Sequence, residues 1–314
     1  VLSRAAAGML AAALCFQPMT ALAGPAGDSS LTSSSSNAGP GGGSGSSNSG
    51  STGSSGGSTS VSNGSVSAVT SGLGVYRVTE NEGIGAIARG VDVSYWQQNV
   101  NWSQVASDNV QFAMLATRFR GNVDPFFAMN AANASQAGLR LGAYIYSYAT
   151  SVEMAQQEAD FVLNLIKDYP ISFPVVFDAE DANTLGTLTQ SQVSDVINAF
   201  CKRIQDAGYY PMVYANEYWI ANKIDMSKIS YDIWVAKYQQ KYTYSKTSMW
   251  QASNTGSVKG VNGNVDIDYL YKDYTQIIPG NTWRTIAGNR YYYQNHVMQK
   301  AAWINDGQNW YYMN

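Results

Sequence analysis

Between Ala88 and Tyr271 the chain alternates short apolar or aromatic runs with longer segments whose apolar residues recur every three or four positions. The runs are Ala88 to Ser94, Phe112 to Thr117, Leu141 to Tyr148, Pro174 to Glu180, Pro211 to Glu217, Tyr231 to Tyr238, Thr247 to Ser253 and Val265 to Tyr271. Each has the length and composition of a strand covered on both faces. Eight such strands, the earlier ones separated by helices, predict an α/β fold in which a parallel sheet closes into a barrel. Asp124 followed by Pro125 reads as a cap and first-turn pair, with Gly138 ending that helix. Thr150 with Glu153, and Thr189 with Gln192, have capping-box spacing. Behind them Ala155, Ala159, Val162 and Ile166, and Val193, Ile197, Phe200 and Ile204, form apolar stripes that would lie on the sheet. After the fifth run only a short helical piece, Tyr218 to Lys223, is predicted before turns rich in Ser, Lys, Asn and Gly. The last three strands are thus expected to lack helical cover, and the pattern departs from a regular (β/α)8 barrel.

The flanks follow other rules. Residues 1–23 combine Arg4, an apolar middle rich in Ala and Leu, and the small residues Ala21 and Ala23, which reads as a signal peptide and export to the cell exterior. Pro18 and the shortness of the apolar run argue against a membrane-spanning helix, and Phe16 after Cys15 argues against a lipid anchor there. Residues 24–74 are Gly, Ser, Thr and Asn with almost no large apolar side chain, the composition of a disordered linker. The globular barrel is then expected over 75–279. With the leader removed, Cys201 is the sole cysteine, on the apolar side of its helix, where a thiol acts as a small hydrophobe. In residues 280–314, "GNRYYYQN" at Gly288 to Asn295 recurs as "GQNWYYMN" at Gly307 to Asn314. This tail resembles the aromatic repeats that hold choline or polysaccharide, yet such units bury their apolar faces only by stacking. A tail packed on the barrel and a short binding module both fit.

Charge narrows the function. Charged residues are 13% of the chain, and 19 basic against 22 acidic side chains give a net charge of −3, which disfavours nucleic acid. The acidic groups sit at strand ends. "FPVVFDAED", Phe173 to Asp181, carries a strand into Asp178 and Glu180, which share a face because side chains two apart do, while Asp181 points elsewhere. Asp266 and Asp268 repeat the spacing on the eighth run, and Asp92 lies near the end of the first. A lone Asp after a strand is most often a turn former, and a D-x-E or D-x-D pair also suits Ca²⁺ or Mg²⁺; convergence of three strands favours a functional cleft. His296 is the sole histidine, so imidazole-ligated metal sites and Ser-His-Asp or Cys-His catalysis are excluded, and no Gly-rich phosphate loop follows the first strand. What remains is carboxylate chemistry among 22 Tyr and 8 Trp, a set suited to sugar rings. Glu180, among aromatic rings and beside Asp178, is expected to have the raised pKa of a general acid. No cofactor or metal is required.

The segments "GVDVSYWQ" (Gly90 to Gln97), "FDAE" (Phe177 to Glu180), "YANEYW" (Tyr214 to Trp219), "MWQAS" (Met249 to Ser253) and "VDIDYL" (Val265 to Leu270) resemble, in order, glycoside hydrolase family 25, the Chalaropsis-type lysozymes. The resemblance covers about Arg89 to Tyr274 and implies a (β/α)5(β)3 barrel. It also implies hydrolysis of the β-1,4 bond between N-acetylmuramic acid and N-acetylglucosamine in peptidoglycan. Together with the leader, the expectation is a secreted, wall-associated monomer with no membrane insertion once the leader is removed. By residue, the resemblance makes Glu180 the proton donor, Asp178 its partner, and Asp92 and Asp266 the flanking acids. Asp268 stands where relatives often have Asn, and is placed with Tyr146, Tyr214 and Trp250 among the substrate contacts, although each aromatic could equally fill the barrel. Arg118 is left out of the site, because Ala116 stands where many relatives have a basic residue. The likeness further implies a retaining reaction in which Asp178 orients the substrate acetamide. A non-catalytic wall-binding protein and a chitinase-like glycosidase are the competing readings.

Overall fold

The computed structural model describes residues 68–78, 83–238 and 240–314. The expected signal peptide, Cys15 and the expected linker up to residue 67 lie outside these residues. Eight strands close into a barrel: β1 (Ala88–Val93), β2 (Phe112–Ala116), β3 (Arg140–Tyr146), β4 (Ile171–Asp178), β5 (Pro211–Asn216), β6 (Asp232–Ala236), β7 (Thr247–Gly256) and β8 (Val265–Leu270). They follow chain order around the barrel, with β8 beside β1. All neighbours pair in parallel except β8, which runs antiparallel to both β7 and β1. That departs from the expected parallel sheet. The eight residues joining β7 to β8 hold no helix, and a parallel return needs a crossover of about a dozen residues or more.

Inward-pointing residues form a core inside the barrel, with Phe112, Met114, Phe173, Val176, Met212, Trp234 and Met249 among them. Gly90 lets this layer close, since a Cβ there would sit 2.2 Å from the Phe112 ring. Outward residues meet the helices α1 (Trp102–Ser107), α2 (Phe127–Gln136), α3 (Val152–Ile166), α4 (Gln190–Asp206) and the short α5 (Glu217–Asn222). The expected stripes of α3 and α4 are buried against the strands, and Cys201 is buried among them. Among the described residues no α-helix lies between β6 and β8. The Thr189 and Gln192 capping box is present on α4. On α3 the cap is Ser151, whose hydroxyl accepts from the Met154 amide at 3.2 Å, rather than Thr150. Because the helix begins at Val152, it is Ser151 that stands three residues before the amide needing a partner. Among the described residues no helix is long and apolar enough to cross a membrane.

Ordered structure begins earlier than Val75. Ala68–Ser71 pairs with Gly74–Arg77 in a hairpin that buries Tyr76, and Asn109 fixes its end by exchanging two hydrogen bonds with the Arg77 backbone. At the other terminus, β9 (Thr282–Ile286), β10 (Asn289–Gln294) and β11 (Val297–Met298) form one small sheet, followed by the hairpin of β12 (Ala302–Asn305) and β13 (Trp310–Met313). The first sheet packs on the barrel unit. Arg284 is buried between the rings of Tyr209 and Tyr293, 3.9 and 4.2 Å from their centres, and Tyr293 donates to the Lys167 carbonyl at 2.9 Å. The β12–β13 hairpin keeps Trp303 and Trp310 exposed.

Candidate active site

The carboxyl-terminal ends of the parallel strands surround a cavity of about 420 Å³. Its position follows from the barrel, which brings the ends of many strands to one rim. Two local features aim the acids into it. On β4, Phe173 and Val176 both belong to the inner layer, so the inward alternation switches across Pro174, where the strand is irregular against β3. Without the switch Asp178 would face the helices; with it, Asp178 and Glu180 line the cavity. On β8 the reversed direction brings the strand's start to the mouth, where Asp266 lies directly across from Asp92 of β1. Strands β1, β4 and β8 thus bring Asp92, Asp178, Glu180 and Asp266 together, as expected.

These carboxyls lie close together, largely out of water. Burial raises Asp92 well above its usual pKa, and the charges of Asp266 and Asp268 push it further in the same direction. Burial takes Asp266 up to about 6, against a hydrogen bond with Asp92 that lowers it. Two facing carboxylates would repel across the ladder, which favours a proton shared between Asp92 and Asp266. Gln251 holds Asp92 in place, its amide donating to Oδ2 at 2.7 Å, while its carbonyl accepts from Tyr214 at 2.8 Å and Tyr238 at 2.9 Å. Asp178 is raised by burial and then by the charges of Glu180 and Asp181, and its Oδ1 is buried without a hydrogen-bond partner. Glu180 is raised by burial and then by the charges of Asp266 and Asp181. Among the described residues no Lys or Arg forms an ion pair with any of the four. Phenols around them remain protonated donors: burial and the nearby acids raise Tyr144 and Tyr214, and burial first takes Tyr238 to about 12.

The other expected contacts divide. Tyr146 and Tyr214 line the cavity, Tyr146 donating to Asp181 at 3.1 Å. Trp250 does not: it is the outward neighbour of Gln251, buried against the rings of Tyr242 and Tyr269, with its indole N–H on the Lys237 carbonyl at 2.9 Å. Asp268 also lies off the cavity lining, one inward position deeper than Asp266, fully buried and accepting from Trp234 Nε1 at 3.0 Å. Arg118, set aside on sequence, does line the cavity. Its guanidinium pairs with Glu158 at 2.6 Å, donates to the Tyr146 carbonyl and lies 4.8 Å over the Tyr148 ring. Buried Glu158 also accepts from Ser147 at 2.6 Å and the Tyr148 amide at 3.0 Å, which fixes the wall after β3. A signal for this was present, because Glu158 interrupts the buried stripe of α3 next to Ala159.

The family model for glycosyl hydrolases family 25 matches residues 91–261, more than half of the chain. The uncharacterized protein YegX of Escherichia coli strain K12 is 31% identical over 189 residues, 57% of this chain and 68% of that protein. Lysozyme M1 of Streptomyces globisporus is 30% identical over 195 residues, 57% of this chain and 66% of that protein. The crystal structure of the CTP1L endolysin superposes with a TM-score of 0.53 at 25% identity, covering 62% of this chain and 70% of that one. With the barrel, the acid-lined cavity and the family match in agreement, the chain belongs to glycosyl hydrolases family 25 and is a glycoside hydrolase.

Proposed function

We propose that this protein is a secreted lysozyme that hydrolyses the β-1,4 bond between N-acetylmuramic acid and N-acetylglucosamine in peptidoglycan, with Glu180 as the general acid. The observation that carries this reading is a carboxyl group in an aromatic-walled cleft, raised in pKa by burial and neighbouring acids and without a cation to hold it ionised. Such a group keeps a proton for the leaving oxygen. Asp178, with a buried Oδ1 unpartnered beside Glu180, is placed to accept the N–H of a substrate acetamide. The acetamide oxygen then attacks carbon 1 as Glu180 gives its proton to the departing oxygen. Water opens the resulting ring, passing a proton back to the Glu180 carboxylate, so the configuration at carbon 1 is retained. The Asp92 and Asp266 pair supplies negative charge near the developing oxocarbenium centre and carries no transferred group. The names of Lysozyme M1 and the endolysin agree with a wall substrate.

The test is release of muramic-acid reducing ends from purified peptidoglycan, with chitin in parallel, by the wild type and by Glu180→Gln. Cleavage of peptidoglycan by the wild type alone supports the assignment. Equal release by both proteins removes Glu180 from the acid role, preference for chitin replaces the substrate, and a covalent sugar adduct on Asp178 replaces the acetamide as nucleophile.

A further inference from the structure

The cleft is lined by four acids, yet the glycan proposed to enter it carries carboxylates on the lactyl side of every muramic unit, on the ether itself or on the peptide attached there. An anion approaching the negative charge that the Asp92 and Asp266 pair retains is repelled unless a cation meets it. The cavity lining offers two, Arg118 and Arg120. Arg118 is engaged by Glu158, the Tyr146 carbonyl and the Tyr148 ring. Arg120 is exposed, and among the described residues it forms no ion pair.

Arg120 is also held in place by an unusual turn. Arg118 and Phe119 pair with Val123 and Asn122, so Arg120 and Gly121 are the two central residues of a tight hairpin directly after β2. Their φ angles of 49° and 82° are the left-handed pair that such a turn demands, and its first place is normally taken by Asn, Asp or Gly. Ala287 accepts the same conformation at the tip of the β9–β10 hairpin, outside the cavity lining, so the backbone alone assigns nothing. What distinguishes Arg120 is where the turn points it. Phe119 stacks on Tyr95 with ring centres 4.0 Å apart and meets the edge of Trp96 at 5.7 Å, and the Arg120 guanidinium lies 5.1 Å over the Phe119 ring. The hairpin is thereby pinned to the loop after β1, with its one unpaired cation at the rim of the acidic cleft.

We infer that Arg120 is a specificity residue that binds a carboxylate on the lactyl side of the muramic unit, an inference resting on the peptidoglycan reading above. It aligns the anionic side group at the rim while the neutral backbone of the glycan passes the acids. The test compares wild type, Arg120→Asn and Arg120→Lys on three substrates: intact peptidoglycan, glycan stripped of peptide by an amidase, which bares the lactyl carboxylate, and the stripped glycan after reduction of that carboxylate to an alcohol. Asn is favoured at this turn position, so the variant keeps the hairpin while removing the guanidinium. Arg120→Asn is expected to raise KM about tenfold on carboxylate-bearing substrate with kcat within about twofold, the size of one charge-assisted hydrogen bond. Lys restores part of the loss, the difference shrinks at about 0.5 M salt, and the reduced glycan shows no difference. An effect on intact peptidoglycan alone assigns the contact to the peptide; an effect on stripped glycan as well assigns it to the lactyl group. Equal KM values for wild type and Arg120→Asn on both charged substrates, or an equal rise on the reduced glycan, overturn the inference while leaving the lysozyme reading intact. A wild type that cleaves none of the three overturns both.

Discussion

The two ends of the barrel treat buried and half-buried carboxyl groups in opposite ways. At the base, Asp232 of β6 accepts from Lys272 at 2.7 and 2.9 Å, from Tyr210 at 2.8 Å and from Tyr274 at 2.9 Å. Burial pushes Asp232 up, but these donors and the Lys272 charge outweigh it, and its carboxyl sits below the usual value. At the mouth, Asp92, Asp178, Glu180 and Asp266 meet burial and one another with no cation in contact, and all are raised. Burial raises an acid at either end of this fold, and the direction of the net shift turns on whether donors and a cation outweigh it. The base favours the charged form of its acid, and the mouth favours the protonated form of its own.

Four substitutions and a pH series test that contrast. Glu180→Gln removes the transferable proton at nearly constant volume, and activity is expected to fall by about three orders of magnitude or more. The same change relieves a buried acid of its like-charged neighbours, so the melting temperature at neutral pH is expected to hold or rise. A Glu180→Gln variant that unfolds would show that the mouth is structural too. At the base the outcome is reversed. Asp232→Asn leaves Lys272 without its partner and is expected to cost about 2 kcal/mol in denaturant unfolding, with turnover per folded molecule unchanged.

The pH dependence separates the ends by sign. Asp266 is near 3.8 when unfolded and about 6 when folded, so between these values the folded chain binds more protons than the unfolded one. Its contribution to stability is complete below about pH 4, declines as pH rises, and is lost above about pH 6. Asp232, lowered in the fold, contributes above its unfolded value and loses that contribution as pH falls below it. Unfolding free energies measured from pH 3 upward are expected to be flattened in the upper window by Asp266→Asn and in the acid window by Asp232→Asn. A shared loss of both windows in either variant would mean that the two ends are coupled.

Much of this was legible in the chain because it depends on periodicity. Eight short apolar runs, two stripes of period three to four, and acids placed just past strand ends specify the barrel, its helices and the meeting of Asp92, Asp178, Glu180 and Asp266. What escaped was parity and direction. "MWQAS" contains adjacent Trp250 and Gln251, only one of which can face inward, and the aromatic was the attractive choice for a sugar; the side chain pairing with Asp92 is Gln251. The direction of β8 is set by a loop too short for a crossover, and it makes Asp266, not Asp268, the acid at the rim. Arg118 was missed because its role depends on Glu158, 40 residues away on α3. Arg120 needed the turn geometry, which sequence signals poorly when Arg replaces the Asn such turns prefer.

Asp268 provides the smallest expected effect, which makes it the sharpest check on where the mouth ends. It is fully buried beneath the rim, raised first by burial and then by the charge of Asp266, opposed by the hydrogen bond from Trp234. Its Oδ2 has no partner. Burial and the Asp266 charge both favour the neutral form of this carboxyl, and a protonated carboxyl has nearly the shape and hydrogen-bonding of a primary amide. Asp268→Asn keeps an oxygen for the Trp234 N–H and replaces an O–H by an N–H₂, so activity is expected within about twofold and stability within about 1 kcal/mol of wild type. Asp266→Asn, one inward position nearer the opening, removes half of a proton-sharing pair and is expected to shift the acid limb of the activity profile. If Asp268→Asn instead loses activity on the scale of Glu180→Gln, the charged cleft extends a layer deeper than the lining suggests, and the inner barrel takes part in the chemistry rather than supporting it.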